Sequence, residues 1–123
     1  MLLYRLRIGR NRQAYIGKHV IIGITFVGTD GKAAEYFQTH GRVCTIDDYQ
    51  GIAIEKADGS GIYTIPPRPL KFVPARPGHY KLRATGRTVV DPDYLSNWTL
   101  NDSLPEKRED YKSRGFGPFE KRD

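Results

Sequence analysis

His40, Cys44 and Asp47 stand close together in the stretch THGRVCTID. Alternate residues of a strand share a face, so His40 and Cys44 would lie on one face if no bulge intervened. A thiol beside an imidazole can serve as a nucleophile, and with a carboxylate it can hold a metal. The stretch has no CxxC, no HxxxH and no second thiol. A lone strand cysteine ordinarily behaves as a small buried hydrophobe. Asp47-Asp48 and Asp91-Pro92-Asp93 are the close carboxylate pairs outside the C-terminal tail. Both fall in turn-like sequence, where Asp bonds its own backbone. GTDGK and GSG read as hairpin turns, since neither follows a strand and opens a helix as a phosphate-binding loop does. With GxSxG and HExxH also absent, the chain reads as non-enzymatic, with no cofactor and no metal site.

Charge gives a more specific lead. The net charge is +6, and residues 61–90 hold six basic groups and no acids, while residues 30–60 hold three basic groups against six acids. The basic residues Arg68, Lys71, Arg76, Lys81, Arg83 and Arg87 define a candidate binding face. Such a strip suits an acidic protein partner or a phosphate backbone. Phe72 and Tyr80 lie within it, and rings beside cations are the equipment of single-stranded nucleic-acid binders. Alternation places Tyr80 with Leu82 and Ala84 on one face, which favours burial of the ring. A second candidate is the tail, where Phe116 and Phe119 stand in otherwise polar sequence and could dock on a partner. The leading reading is therefore a non-enzymatic module that binds a protein through its basic face or its tail. RNA or single-stranded nucleic acid is the alternative, and an enzyme or metal protein using His40, Cys44 and Asp47 is the least supported.

The elements that must carry these residues are mainly strands. HVIIGITFVG is β-branched, aromatic and uncharged, as expected of a strand covered on both faces. TDGK, DDYQG and DGSG are turn signals, and AAEYFQTHGRVCTID, IAIEKA and IYTI are strands between and after them. Gly41 predicts a bulge or sharp bend. LKFV is a further short strand, and YKLRATGRTVV reads as a hairpin around Thr85-Gly86. The two PxxP spacings in IPPRPLKFVPARPGHY resemble a polyproline ligand. However, Leu70 and Phe72 sit at strand spacing, so the prolines are read as corners, with those two residues buried and Arg68 and Arg76 exposed. Asn11 is a candidate cap for a short helical turn through Tyr15, ended at Gly17.

Short strands joined by tight turns imply an antiparallel barrel or a small sandwich. The succession YIGKHVIIGITFVGTDGK, THGRVCTIDDYQGIAIEKADGSG and IYTIPPRPLKFV resembles the strand order of small SH3-like and Sm-like barrels. That resemblance covers roughly residues 15–75. It implies a mainly β fold, a small antiparallel barrel of five to seven strands with irregular N- and C-terminal extensions. No residue set matches a nucleotide-contacting loop, so no site residue is carried over. The expected organisation is an N-terminal extension or first strand over 1–17, a β-barrel domain over 18–100 and a charged, flexible tail over 101–123. Lone Cys44, the short apolar run in MLLYRLRIGR and the lack of a membrane-length apolar stretch predict a cytoplasmic protein without a membrane role.

Overall fold

The computed structural model describes residues 11–48, 50–68 and 71–116. Its centre is strand β1 (His19–Val27), whose uncharged, β-branched sequence is buried along most of both faces. It pairs antiparallel with β2 (Ala33–Asp47) and parallel with β8 (Tyr94–Leu100). Two further antiparallel strands, β3 (Gly51–Lys56) and β4 (Ile62–Ile65), extend the sheet beyond β2. The two-residue β5 (Val73–Pro74) extends it beyond β8. The order is therefore β4-β3-β2-β1-β8-β5, with a separate hairpin of β6 (His79–Lys81) and β7 (Thr88–Val90).

The expected tight turns have a local chemical cause. Asp30 Oδ1 accepts the Lys32 N–H, Asp47 Oδ1 accepts the Gln50 N–H, and Asp58 Oδ1 accepts the Ser60 N–H. These are the short-range side-chain bonds that favour Asp at turns. A brief 3-10 turn over Asn11–Tyr15 precedes Gly17, as the sequence predicts.

β2 is long enough to pair with β1 along its first part and with β3 along its last. The bend between them needs Gly41, because a Cβ there would fall on the Glu55 carbonyl oxygen. The register irregularity lies between Val43 and Thr45, so the bulge is at Cys44 and Gly41 is the point of close backbone approach.

Bending gives the sheet a concave and a convex side. Val20, Ile22, Ile24 and Phe26 of β1 point to the concave side with Val43, Ile52, Ile54, Tyr63, Ile65 and Phe72. The rings of Phe37 on β2 and Tyr63 on β4 approach to 6.1 Å between centroids, across the intervening β3. On the convex side Ile21 meets Leu82 and Val89, with Tyr80 and Leu95 at the margin.

The sheet is not closed into a barrel among the described residues. After β4 the chain enters Pro66-Pro67, whose nitrogens carry no hydrogen and cannot extend a ladder. The sequence expectation of a strand over LKFV reduces to the pairing of Val73 and Pro74 with β8. Phe72 is buried, and Arg68 and Arg76 are exposed, as expected. Leu70 lies outside the described residues. The hairpin is also shorter than YKLRATGRTVV implies, because Leu82–Arg87 form its loop and Ala84 is exposed.

A flexible tail was expected after residue 100, but the helix α1 (Pro105–Arg114) occupies most of the described part. Proline opens it and Gly115, at φ +86°, ends it. Its sequence has no apolar stripe, so periodicity gives no warning of a helix. Tertiary bonds hold it instead. The Tyr63 hydroxyl donates to the Tyr111 carbonyl at 2.6 Å, and Lys56 Nζ donates to the Ser113 carbonyl at 2.7 Å. Arg108 donates to the Ser103 hydroxyl and carbonyl, and Lys112 pairs with Glu35 and Glu109.

Beyond the helix, Gly115 forms a parallel bridge with Thr64 of β4, and the Phe116 N–H donates to the Thr64 carbonyl at 2.7 Å. The Phe116 ring also packs on Trp98 of β8 at 5.6 Å. One residue thus touches both flanks of the curled sheet and spans the gap a closed barrel would not have.

Candidate binding face around His19 and His40

Register decides which side chains meet on the convex face. His19 lies opposite Arg42, Ile21 opposite His40, and Gly23 opposite Gln38. His19 and His40 are therefore diagonal neighbours, a separation that ring side chains can bridge. Their rings do so, with His19 Nε2 and His40 Nδ1 2.8 Å apart. One nitrogen donates and the other accepts, so the neutral pair holds one proton between the rings.

The surrounding backbone fixes both histidines. The His19 N–H donates to the Asp93 carboxylate at 2.8 Å, and its carbonyl accepts the Asp93 N–H at 2.9 Å. The His40 carbonyl accepts the Ala57 N–H at 3.0 Å. Arg42 is held by a bond from Nη1 to the Gly17 carbonyl at 3.0 Å.

Both imidazoles are held below the ordinary histidine range. Burial is the main cause for each. The neighbouring charges of His40 and Arg42 add to it for His19 against Asp93, and Arg87 adds to it for His40 against Asp58. The charged form loses hydration and gains like-charged neighbours, so the pair is neutral near pH 7.

Next to His40 a cleft of about 350 Å³ opens between β2, the β3–β4 turn and the hairpin loop. Its walls are Gln38, Thr39, His40, Asp58, Leu82, Thr85 and Arg87. The loop is well defined: Leu82 N–H donates to the Arg87 carbonyl, Gly86 N–H donates to the Leu82 carbonyl, and Arg87 N–H donates to Thr85 Oγ1. Gly86 has φ +75°, a left-handed conformation that glycine adopts without strain. The Arg83 N–H donates to Gln38 Oε1 at 2.7 Å, tying loop to sheet and turning the Gln38 amide nitrogen away from that bond.

Of the six basic residues singled out by sequence, all are exposed. Lys81, Arg83 and Arg87 come together on the hairpin. Lys71 goes to another place, its ammonium 5.3 Å from the ring centre of Trp98. Trp98 pairs with Ile24 and shares its concave side, opposite the face the hairpin covers. Arg68 follows β4, and Arg76 lies between β5 and β6, where its carbonyl accepts the Tyr80 hydroxyl. Phe116 is half-buried against Trp98 and Tyr111, and Phe119 lies outside the described residues.

Cys44 occupies the bulge, with its thiol 3.7 Å from the Arg42 carbonyl, while His40 pairs with His19. The alternation that would align His40 with Cys44 is interrupted there. No group of three or more His, Cys, Asp or Glu able to hold a metal occurs among the described residues, and no helix there is long and apolar enough to cross a membrane.

Sequence reasoning left His19 isolated and did not use Arg42 or Gln38. The Asp30-Gly31 turn was the available signal, because counting outward from it sets β1 against β2. The bulge near Val27 shifts that count by one, enough to exchange the faces.

No protein-family model, curated protein or solved structure matches this chain.

Proposed function

We propose that this protein is a non-enzymatic interaction module that binds an acidic segment of a protein partner on the convex face presented by hairpin β6–β7. The observation that carries this reading is a contrast in how cations are used. On α1, Arg108, Lys112 and Arg114 each have a carboxylate partner. On the hairpin, Lys81, Arg83 and Arg87 are exposed and make no ion pair among the described residues. Cations held out of ion pairs on an anchored element raise the local potential and accelerate encounter with an acidic surface, Lys81 and Arg83 more than Arg87, on which the Asp58 charge acts. The resemblance to SH3-like and Sm-like barrels bears on this reading only through shape, a small curled sheet with an accessible outer side.

Nucleic acid is the second reading, and it depends on the same cations. Stacking rings are its weak point: Phe72 is buried and the Tyr80 hydroxyl is bonded to the backbone of Arg76. Tyr36, 42% exposed on the convex face, is the ring it could use. Fluorescence anisotropy at low salt separates the two readings. A glutamate-rich peptide is expected to bind more tightly than a mixed-sequence oligonucleotide. Replacing Lys81, Arg83 and Arg87 together by Ala should weaken peptide binding by at least about tenfold, with affinity falling as salt rises. Peptide binding that is absent, or indifferent to the triple substitution, would overturn the proposal. Tighter oligonucleotide binding with a steep salt slope would favour the second reading.

A further inference from the structure

We propose that the cleft between His40 and Arg87 is a pocket for a single anionic head group, a carboxylate or a phosphate, carried by the acidic partner segment. This deepens the preceding reading and rests on it. Arg87 supplies the cation, and its guanidinium can take two oxygens at once. Gln38 supplies N–H donors, because the Arg83 N–H engages its oxygen and only the oxygen can accept. Thr85, also in the lining, supplies a hydroxyl. The volume of about 350 Å³ suits a head group with a few waters, and lies at the small end for ligand pockets.

The charge of the cleft is conditional. Asp58 also lines the cleft, its carboxylate engaged by the Ser60 N–H. With the histidines neutral, Arg87 and Asp58 offset each other. Protonation of the His19–His40 pair adds positive charge to a cleft that was balanced. The groups acting on the pair come from every side: Arg42 on β2, Arg87 at the hairpin, Asp58 in the β3–β4 turn and Asp93 before β8. Anion binding is therefore coupled to proton uptake, and strengthens as pH falls through the titration of the pair.

Calorimetric titration of the full chain tests this with three short acidic peptides, identical except for a central glutamate, phosphoserine or glutamine. The glutamate and phosphoserine peptides should bind about tenfold more tightly than the glutamine peptide at pH 5.5, and lose most of that advantage at pH 7.5. Arg87→Ala should remove the advantage at both pH values. Asp58→Asn keeps the acceptor for Ser60 and should restore tight binding at pH 7.5. The glutamate and phosphoserine arms decide which head group is preferred. If acidic peptides bind through Lys81 and Arg83 but ignore the central residue, pH and Arg87→Ala, the pocket is overturned and the hairpin reading stands. If none of the peptides binds, both are overturned.

Discussion

The two sides of the sheet solve different problems with the same strand. On the concave side, alternate residues of β1 enter a core of ten buried residues, sealed by rings from Tyr15, Tyr94, Trp98, Tyr111 and Phe116. On the convex side, one residue of β1, Ile21, meets two buried residues of the hairpin. The concave side carries the folding energy, since burial of a large aliphatic side chain contributes about 1.5–3 kcal/mol. The convex side spends its surface on histidines, arginines and a cleft. A small anchor is enough there because the Arg83 N–H also ties the hairpin to Gln38 of the sheet, while paired bonds between Gly78 and Asp91 close the base of the hairpin itself.

Substitutions on the two sides should expose that division. Ile54→Ala, in the middle of the large core, should cost about 2–5 kcal/mol, read as a lower midpoint in urea unfolding. A loss below 1 kcal/mol would mean that the concave core is not the main store of stability.

Gly115→Val tests the join between α1 and β4. A Cβ at residue 115 would collide with Thr64, and φ +86° is strained for valine. The expected cost is about 1–3 kcal/mol, with a change in Trp98 fluorescence as Phe116 withdraws. Unchanged fluorescence would indicate that Phe116 does not depend on the Thr64 bridge.

Leu82→Ala should cost less than Ile54→Ala, about 2 kcal/mol at the low end for such truncations, because the convex cluster is small and can collapse. Hydrogen exchange should quicken in β6 and β7 and stay slow in β1. Equal acceleration in both would show that the hairpin and sheet open as one unit.

The smallest effect concerns pH. His19 and His40 are held below their ordinary value of 6.5 in the folded protein. The unfolded chain therefore binds more protons in that range, and stability falls as pH drops from above 6.5 toward the folded titration points. It levels off below them. A double replacement of His19 and His40 by Gln should flatten this part of the stability profile, measured by thermal unfolding at fixed ionic strength. A profile still sloping in the double variant would assign the slope to other groups.

The strands were legible in the sequence where local chemistry and burial agreed. β1 is uncharged and β-branched, and its turn to β2 has Asp-Gly. Pro66-Pro67 marked the end of β4, and Phe72 carried its burial in its spacing. α1 was not legible, because Tyr111 is its one large apolar-bodied residue and its partners Glu35, Lys56 and Tyr63 are distant in the chain. The basic strip was legible as charge but not as a surface. A strand's alternation and a chain reversal separate Lys71 from Lys81, Arg83 and Arg87, although only nine residues of sequence lie between Lys71 and Lys81.

By itself the sequence determined a mainly β chain, its tight turns, the end of β4 at Pro66-Pro67 and the concentration of positive charge after β4. Those properties follow from side-chain shape, proline's missing N–H and local hydrogen bonding. Only the tertiary structure decided that the sheet curls without closing, that Phe116 spans the gap and that His19 meets His40 beside Arg87. Each of these depends on register and on the bend at Gly41, where a one-residue shift would send every side chain to the opposite face.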